Sequence, residues 1–143
     1  MQHLNSKELI VVVPVYNEAG ILKAFAEDWM RVLSELKIDF VIRFYDDGSK
    51  DQSGLLLDEL ASKYSTIEVI HKPNSGHGST LMQAYKESDA AEWVFQIDSD
   101  HELDHHVFIS FWEERKDYDV LLGERIKEEG TGVFRKILSG LSA

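Results

Sequence analysis

Short apolar runs alternate with segments of helical periodicity from one end of this chain to the other. The runs read as strands because they are continuous, rich in β-branched and aromatic residues, and bounded by polar turns. Such an order predicts an α/β layered fold with a mostly parallel central sheet. The predicted strands are Leu9–Val13, Phe40–Tyr45, Ile67–Ile70, Trp93–Ile97 and Tyr118–Gly123.

Helices are expected between and after these strands. Apolar residues recur at helical spacing from Ile21 to Leu36, which predicts an amphipathic helix of roughly four to five turns. The other predicted helices contain Leu55–Tyr64, capped by Asp51 or Ser53; Ser79 or Thr80 to about Ser88, capped by its first residue; and His106–Glu114.

The composition bounds the class of protein. With 143 residues, 43% of them hydrophobic, the chain is predicted to form one domain over residues 1–143. We expect no membrane span, because no apolar stretch approaches about 18 residues, and no secretory signal. Cysteine is absent, which excludes thiolate metal sites and fits the cytoplasm. The formal charge of -11 disfavours nucleic acid as a partner.

Most of the unusual polar residues directly follow predicted strands. They lie in Pro14–Glu18, Asp46–Asp51, Lys72–Gly78 and Asp98–Asp104. In open α/β sheets, ligands bind outside the carboxyl ends of the strands. We therefore expect these four loops to meet at one edge and form the binding site.

Asp98 and Asp100 are the leading site candidates because they follow the run Trp93–Ile97, which reads as a buried strand. Two carboxylates at a sheet edge can hold Mg2+ or Mn2+, and the ion can hold a diphosphate. Glu102 is the candidate for a third oxygen ligand. The alternative is an exposed acidic turn, since Asp and Ser are common in turns.

The other loops carry weaker signals, each with a structural alternative. One carboxylate of Asp46–Asp47 can accept an N–H of uracil or guanine, or the pair can form an Asp-Gly turn. Asn74–Gly78 can approach phosphate or sugar through its glycines, or be an ordinary strand-to-helix loop. Tyr16 can stack on a base and Glu18 can bond a ribose, or they can pack and complement a helix N-terminus.

Histidine and arginine residues complete the candidates. Zinc at His101, His105 and His106 is disfavoured because structural zinc usually has four closed ligands, so solvated loop histidines are expected. Arg125 follows the fifth strand and can neutralise phosphate. Arg135 and Ser139 are four residues apart, so a helix would place them on one face, where an acceptor phosphate can bind. The alternative is a solvated basic turn.

Taken in order, these motifs resemble those of the family 2 glycosyltransferases, which have the GT-A nucleotide-diphospho-sugar-binding fold. The resemblance spans roughly Leu9 to Ser139. Arg125, Arg135 and Ser139 make it nearest to the dolichyl- or polyprenyl-phosphate sugar synthase type. The matching motifs are Val12–Glu18, Tyr45–Asp51, Asn74–Gly78, Gln96–Asp100 and Gly123–Arg125.

The resemblance implies a metal-dependent transfer of sugar from a UDP- or GDP-sugar to a polyprenyl phosphate or glycan, in cell wall or polysaccharide biosynthesis. It implies Mg2+ or Mn2+ as the cofactor and a cytoplasmic location, at the inner membrane face for a lipid acceptor. The implied donor-binding residues are Pro14, Tyr16, Glu18, Tyr45, Asp47, Gly76, Asp98 and Ser99, and the implied catalytic residues are Asp98, Asp100 and Arg125.

The family's acceptor-binding half has no counterpart in this sequence, so we expect a C-terminally truncated GT-A fold that binds donor and turns over weakly. An alternative is a non-catalytic module for a nucleotide-sugar or a partner protein. A sugar nucleotidyltransferase is disfavoured because Pro14–Glu18 is not glycine-rich and basic. Apolar residues near the end, including Val133 and Leu141, are expected to favour pairing between copies.

Overall fold

The structure is a computed structural model that describes residues 6–100, 103–128 and 131–139, with side chains described up to residue 122. It divides into two compact units, Met1–Asp100 and His101–Ala143. In the first unit, four parallel strands form a sheet in the order β3-β2-β1-β4. They are β1 (Lys7–Val15), β2 (Phe40–Asp47), β3 (Ile67–Lys72) and β4 (Ala91–Gln96).

The core forms where helices pack on this sheet. Between strands run α1 (Leu22–Glu35), α2 (Ser53–Lys63) and α3 (His77–Lys86). Parallel strands require such crossovers. The Phe25 ring of α1 lies 6.1 Å from that of Phe44, and Trp29 lies 5.7 Å from Phe95, centroid to centroid. The predicted α/β fold with a parallel sheet is confirmed.

The strand register sets where the loops begin. Val15 pairs with Asp46, and Asp47 pairs with Lys72. Because all four strands run in one direction, the loops that follow them leave from the same edge of the sheet. The sheet thus brings together segments that are far apart in sequence.

Two details of the first unit differ from the sequence predictions. The run at β4 was expected to be buried, yet its side chains alternate in exposure and Val94 is 39% exposed. Within the described residues β4 is an edge strand, so it has a neighbouring strand on one side only. The third helix begins at His77, after Gly76 at φ +94, so Thr80 lies inside it and donates its hydroxyl to the Gly76 carbonyl.

The start of α2 bears on the cap prediction. Neither candidate occupies the N-cap position, which is Gln52. The Asp51 carboxylate instead accepts the Ser53 amide at 2.8 Å. Ser53 is the first helical residue and is buried, which leaves its hydroxyl available for a loop contact described below.

The second unit contains α4 (His105–Glu114), a 3-10 turn (Arg115–Asp117) and an antiparallel pair, β5 (Val120–Glu128) and β6 (Thr131–Ser139). The prediction that Arg135 and Ser139 share one face of a helix is wrong. Both residues lie on β6, where the backbone hydrogen bonds are made to β5. Within the described residues, no helix combines the length and apolar character needed to cross a membrane. The single-domain assignment stays a prediction.

Candidate functional site

A cleft of about 360 Å³ lies at the carboxyl edge of the four-stranded sheet. Each of the four loops that follow the strands contributes to its wall, as the sequence predicts. The candidate residues that line it are Pro14, Tyr16, Glu18, Asp47, Gly76, Asp98, Ser99 and Asp100. The cleft therefore brings Asp47 together with Asp98 and Asp100, although these residues are far apart in sequence.

Asp47 is the most constrained of these residues. Its Oδ1 accepts hydrogen bonds from Lys72 Nζ at 2.6 Å and from the Ser75 amide at 2.8 Å, and its Oδ2 accepts one from the Gly76 amide at 3.0 Å. Burial raises the pKa of Asp47, but these hydrogen bonds outweigh it and the net pKa is lowered. The carboxylate is therefore held ionised, and it fixes the loop that leads into α3.

The neighbouring Asp46 faces a different partner. His71 Nδ1 lies 2.9 Å from Asp46 Oδ2, and His71 Nε2 lies 2.7 Å from Asp58 Oδ1 on α2. Hydrogen bonds to Asp58 and Asp46 raise the pKa of His71. Asp46 Oδ1 also accepts the Ser49 amide at 3.0 Å, so this cluster supports the loop after β2.

A set of hydrogen bonds, which we call the loop clasp, joins the loops after β1 and β2. Asn17 Oδ1 accepts the Lys50 backbone N–H at 2.8 Å, and the Asn17 backbone N–H donates to Ser49 Oγ at 3.0 Å. The Glu18 amide donates to Ser53 Oγ at 2.9 Å. Asn17 adopts φ +52, a left-handed conformation that asparagine tolerates better than most residues. The clasp fixes the backbone between Tyr16 and Glu18.

Asp98 and Asp100 are exposed at the cleft wall, while Ser99 between them is buried. Asp98 Oδ1 accepts a hydrogen bond from the Gln96 side-chain Nε2 at 3.1 Å and lies 4.0 Å from His77 Nε2. No described residues form a group of three or more His, Asp or Glu that could enclose a metal. Two solvent-facing carboxylates nevertheless fit Mg2+ or Mn2+, which take remaining ligands from water and phosphate. Glu102 lies outside the described residues.

The structure corrects the base contact expected of Tyr45. Its side chain is 0% exposed and packs in a core cluster with Ile10, Val12 and Ala84. Burial raises the pKa of its phenol. From this position Tyr45 supports the sheet beneath the cleft and does not line it.

The predicted arginine and acceptor residues belong to the second unit. Arg125 lies on β5, and Arg135 and Ser139 lie on β6. Their side chains are outside the described part of the chain, as is His101. Their roles stay predictions.

The sequence analysis gave no individual role to several residues that build the site, although Asn74 and His77 belong to the predicted Asn74–Gly78 loop. Asn74, His77 and Thr80 line the cleft, and Lys72 holds Asp47. Lys72 was the first residue of a predicted loop, but nothing local marked it as the partner of a carboxylate in β2. Only the strand register, in which Asp47 pairs with Lys72, identifies Lys72 as the partner of Asp47.

The comparisons with known proteins agree with this geometry. The sequence model of glycosyl transferase family 2 matches residues 10–140. The chain belongs to glycosyltransferase family 2. The predicted family is thereby confirmed.

Curated relatives of this family 2 chain are longer than it is. Glycosyltransferase GlyG of Streptococcus pneumoniae is 26% identical over 138 residues, covering 94% of the chain and 45% of the relative. The undecaprenyl-phosphate 4-deoxy-4-formamido-L-arabinose transferase of Proteus mirabilis is 32% identical over 92 residues, covering 63% and 28%. The chain therefore spans less than half the length of either relative.

Solved structures give the same fold. S. aureus TarS 1–349 matches with a TM-score of 0.64 at 22% identity, over 88% of the family 2 chain and 38% of TarS. The mannosyltransferase PcManGT from Pyrobaculum calidifontis matches with a TM-score of 0.53 at 19% identity, over 69% and 29%. These likenesses confirm the predicted GT-A fold.

Proposed function

We propose that this chain binds a nucleotide-diphospho-sugar in the cleft and belongs to an enzyme that transfers the sugar to an acceptor. The observation that carries the proposal is the meeting of Asp47 with Asp98 and Asp100 in one cleft. A base-binding carboxylate and a diphosphate-binding pair are the two features that such a donor requires. The names of the two relatives, a glycosyltransferase and a 4-deoxy-4-formamido-L-arabinose transferase, support the assignment.

Each loop has a distinct role in this proposal. Tyr16, 44% exposed, stacks on the base, with Pro14 beside it. Glu18 accepts a ribose hydroxyl, and Asp47 accepts a base N–H. Gly76 lets the diphosphate approach the backbone closely, at the N-terminus of α3, where unpaired amides favour anions. Ser99 completes the wall between the two exposed aspartates.

Asp98 and Asp100, with Glu102 as a further candidate, would hold Mg2+ or Mn2+. The ion supplies Lewis-acid neutralisation of the leaving diphosphate. PcManGT was solved in complex with GDP-Man and Mn2+, which supports a divalent ion in a site of this fold. The protein's own part is to fix the two carboxylates after β4 and to orient the donor through Asp47 and Tyr16.

For the acceptor, we propose a polyprenyl phosphate at the cytoplasmic face of a membrane, for cell wall or polysaccharide synthesis. The name of the Proteus mirabilis relative, which specifies undecaprenyl phosphate, supports this class. A phosphate with a second pKa near 6 is already anionic at neutral pH, so it needs little help from a base. Arg125 would meet the donor phosphate, and Arg135 and Ser139 would meet the acceptor phosphate. Pairing between copies stays part of the proposal.

A second candidate is a donor-binding module without turnover. This candidate is favoured because the match covers only 45% of GlyG and 28% of the Proteus mirabilis transferase. Orientation of two reactants can contribute roughly 7–11 kcal/mol to catalysis, so a module that binds only the donor would turn over poorly. A transfer assay on this chain separates the two candidates, because turnover would exclude the module.

The proposal is tested by titration calorimetry with UDP and GDP, with and without Mn2+. Wild type should bind at least one of them, and Asp98→Ala should abolish the effect of Mn2+ on affinity. The matched control is Asp89→Ala, an exposed aspartate in the turn before β4, which should bind as wild type does. Full Mn2+-dependent affinity in Asp98→Ala would contradict the proposal.

A further inference from the structure

The cleft contains one buried carboxylate whose hydrogen-bonding capacity can be counted. The side chain of Asp47 is 7% exposed, and that of Lys72 is 8% exposed. Asp47 lines the cleft where the proposed function puts the nucleobase. The inference below rests on that proposed function and concerns which base the site accepts.

An ionised carboxylate has about four acceptor positions, two on each oxygen. Both positions of Asp47 Oδ1 are used, by Lys72 Nζ at 2.6 Å and the Ser75 amide at 2.8 Å. One position of Oδ2 is used by the Gly76 amide at 3.0 Å. A single acceptor position, on Oδ2, therefore remains for a ligand.

Lys72 is fixed in its place by more than the carboxylate. Its ammonium also donates to the Pro73 carbonyl at 3.0 Å and to Ser75 Oγ. An ammonium has three protons, so these contacts and Asp47 use them all. Lys72 cannot turn away from Oδ1 without leaving several partners unpaired, which is costly for a buried charge.

Nucleobases differ in the donors that they offer to a carboxylate. Uracil and thymine carry one imide N–H between two carbonyls. Guanine carries a ring N–H beside an amino group, and it pairs best with a carboxylate that accepts through both oxygens. Cytosine and adenine present a bare ring nitrogen at the same edge, which an ionised carboxylate repels.

We propose that Lys72 restricts Asp47 to one hydrogen bond from the base, so that the site selects a uracil or thymine diphosphate donor over a guanine one. Lys72 is thus a specificity-determining residue that acts through Asp47. Without its ammonium, Oδ1 would regain an acceptor position and could pair with the amino group of guanine.

The test is titration calorimetry of this chain with Mn2+ and four nucleotides: UDP, N3-methyl-UDP, GDP and IDP. N3 methylation removes the single donor of uracil and should weaken binding by about tenfold or more, the usual effect of losing a hydrogen bond to a charged group. IDP lacks the amino group of GDP, so with a single acceptor position GDP should bind no more tightly than IDP and more weakly than UDP.

Variants then assign the effect to Lys72. Lys72→Met should increase the GDP-to-IDP affinity ratio by about fivefold or more, as expected for one recovered hydrogen bond. Lys86→Met, an exposed lysine in the last turn of α3, is the control and should leave the ratio unchanged. An unchanged ratio in a folded Lys72→Met protein would overturn the role of Lys72. Should that variant fail to fold, the four wild-type titrations still decide whether the site selects uracil over guanine.

The outcomes separate this inference from the proposed function. GDP binding about tenfold tighter than IDP, or no effect of N3 methylation, would overturn the base selection. If Asp98→Ala still abolished the Mn2+ effect in that case, the nucleotide-sugar site would stand. Absence of binding by all four nucleotides would overturn both.

Discussion

The Lys72 ammonium lies 2.6 Å from the Asp47 carboxylate, and both side chains are less than a tenth exposed. The pair joins the carboxyl ends of β2 and β3, and Asp47 itself lines the cleft. Asp47 also accepts two backbone amides from the loop before α3. Asp47 thus links the sheet, the loop before α3 and the candidate site.

Removing one member of this pair should destabilise the protein strongly. Lys72→Met leaves a buried carboxylate without its counterion, which typically costs about 3–5 kcal/mol of unfolding free energy. Urea denaturation measures the loss. The control is Lys7→Met, which removes the half-exposed Lys7–Asp39 pair and should cost about 0–1 kcal/mol. Equal losses in the two variants would contradict a buried pair at Lys72.

The same pair predicts a dependence on acid. Because the folded pKa of Asp47 is lowered, its contribution is present above the unfolded pKa of about 3.9 and is lost as the pH falls through the folded pKa. Asp47→Asn should therefore flatten the decline in unfolding free energy below about pH 4. Urea denaturation at several pH values checks this. A decline as steep as in the wild type would contradict the assignment.

His71 predicts a pH dependence of the opposite sign. Its folded pKa is raised by Asp58 and Asp46, so its contribution is complete below the unfolded pKa of about 6.5 and is lost as the pH rises through the folded value. The stability difference between wild type and His71→Gln should therefore shrink with rising pH. The pKa of His71 measured by NMR titration should be lower in Asp58→Asn than in the wild type, and an unchanged pKa would contradict this assignment.

The positions of the site loops could be predicted from sequence because they depend on strand direction alone. Continuous apolar runs such as Leu9–Val13 indicate parallel strands, and parallel strands bring their following loops to one edge. That argument needs no knowledge of which strands are neighbours. It correctly gathered Glu18, Asp47 and Asp98 in one cleft.

The partners within the site could not be predicted because they depend on register. Lys72 meets Asp47, and His71 meets Asp46, only because β2 and β3 pair in a particular alignment. Tyr45 was wrongly predicted to contact the base because the sequence does not show that Tyr45 and its neighbour Phe44 are both buried. In a sheet covered on both faces, alternation does not tell which side chain reaches a ligand. The strand conformation at Arg135 was likewise not predicted, because it depends on pairing with β5.

Gly48 should not tolerate a side chain. It has φ +69, and an added Cβ would lie 2.7 Å from the Asn74 backbone nitrogen. Gly48→Ala should cost about 1–3 kcal/mol in backbone strain alone, and it should weaken nucleotide binding because Asn74 lines the cleft. The matched control is Gly20→Ala, where the added atom meets nothing within 4 Å. Thermal unfolding and calorimetry of both variants provide the comparison, and equal behaviour would refute the close approach.

Tyr45 provides a test of the corrected base contact. Since its ring belongs to the core cluster with Ile10 and Val12, Tyr45→Phe should keep the ring packing and leave nucleotide affinity within about twofold of wild type. Tyr45→Ala should cost about 3–5 kcal/mol of unfolding free energy, because it removes a buried aromatic ring. Tyr16→Ala, in contrast, removes an exposed ring in the cleft and should weaken UDP binding with little change in stability. If Tyr45→Phe instead lost tenfold in UDP affinity at wild-type stability, its hydroxyl would be a ligand contact and the core assignment would be wrong.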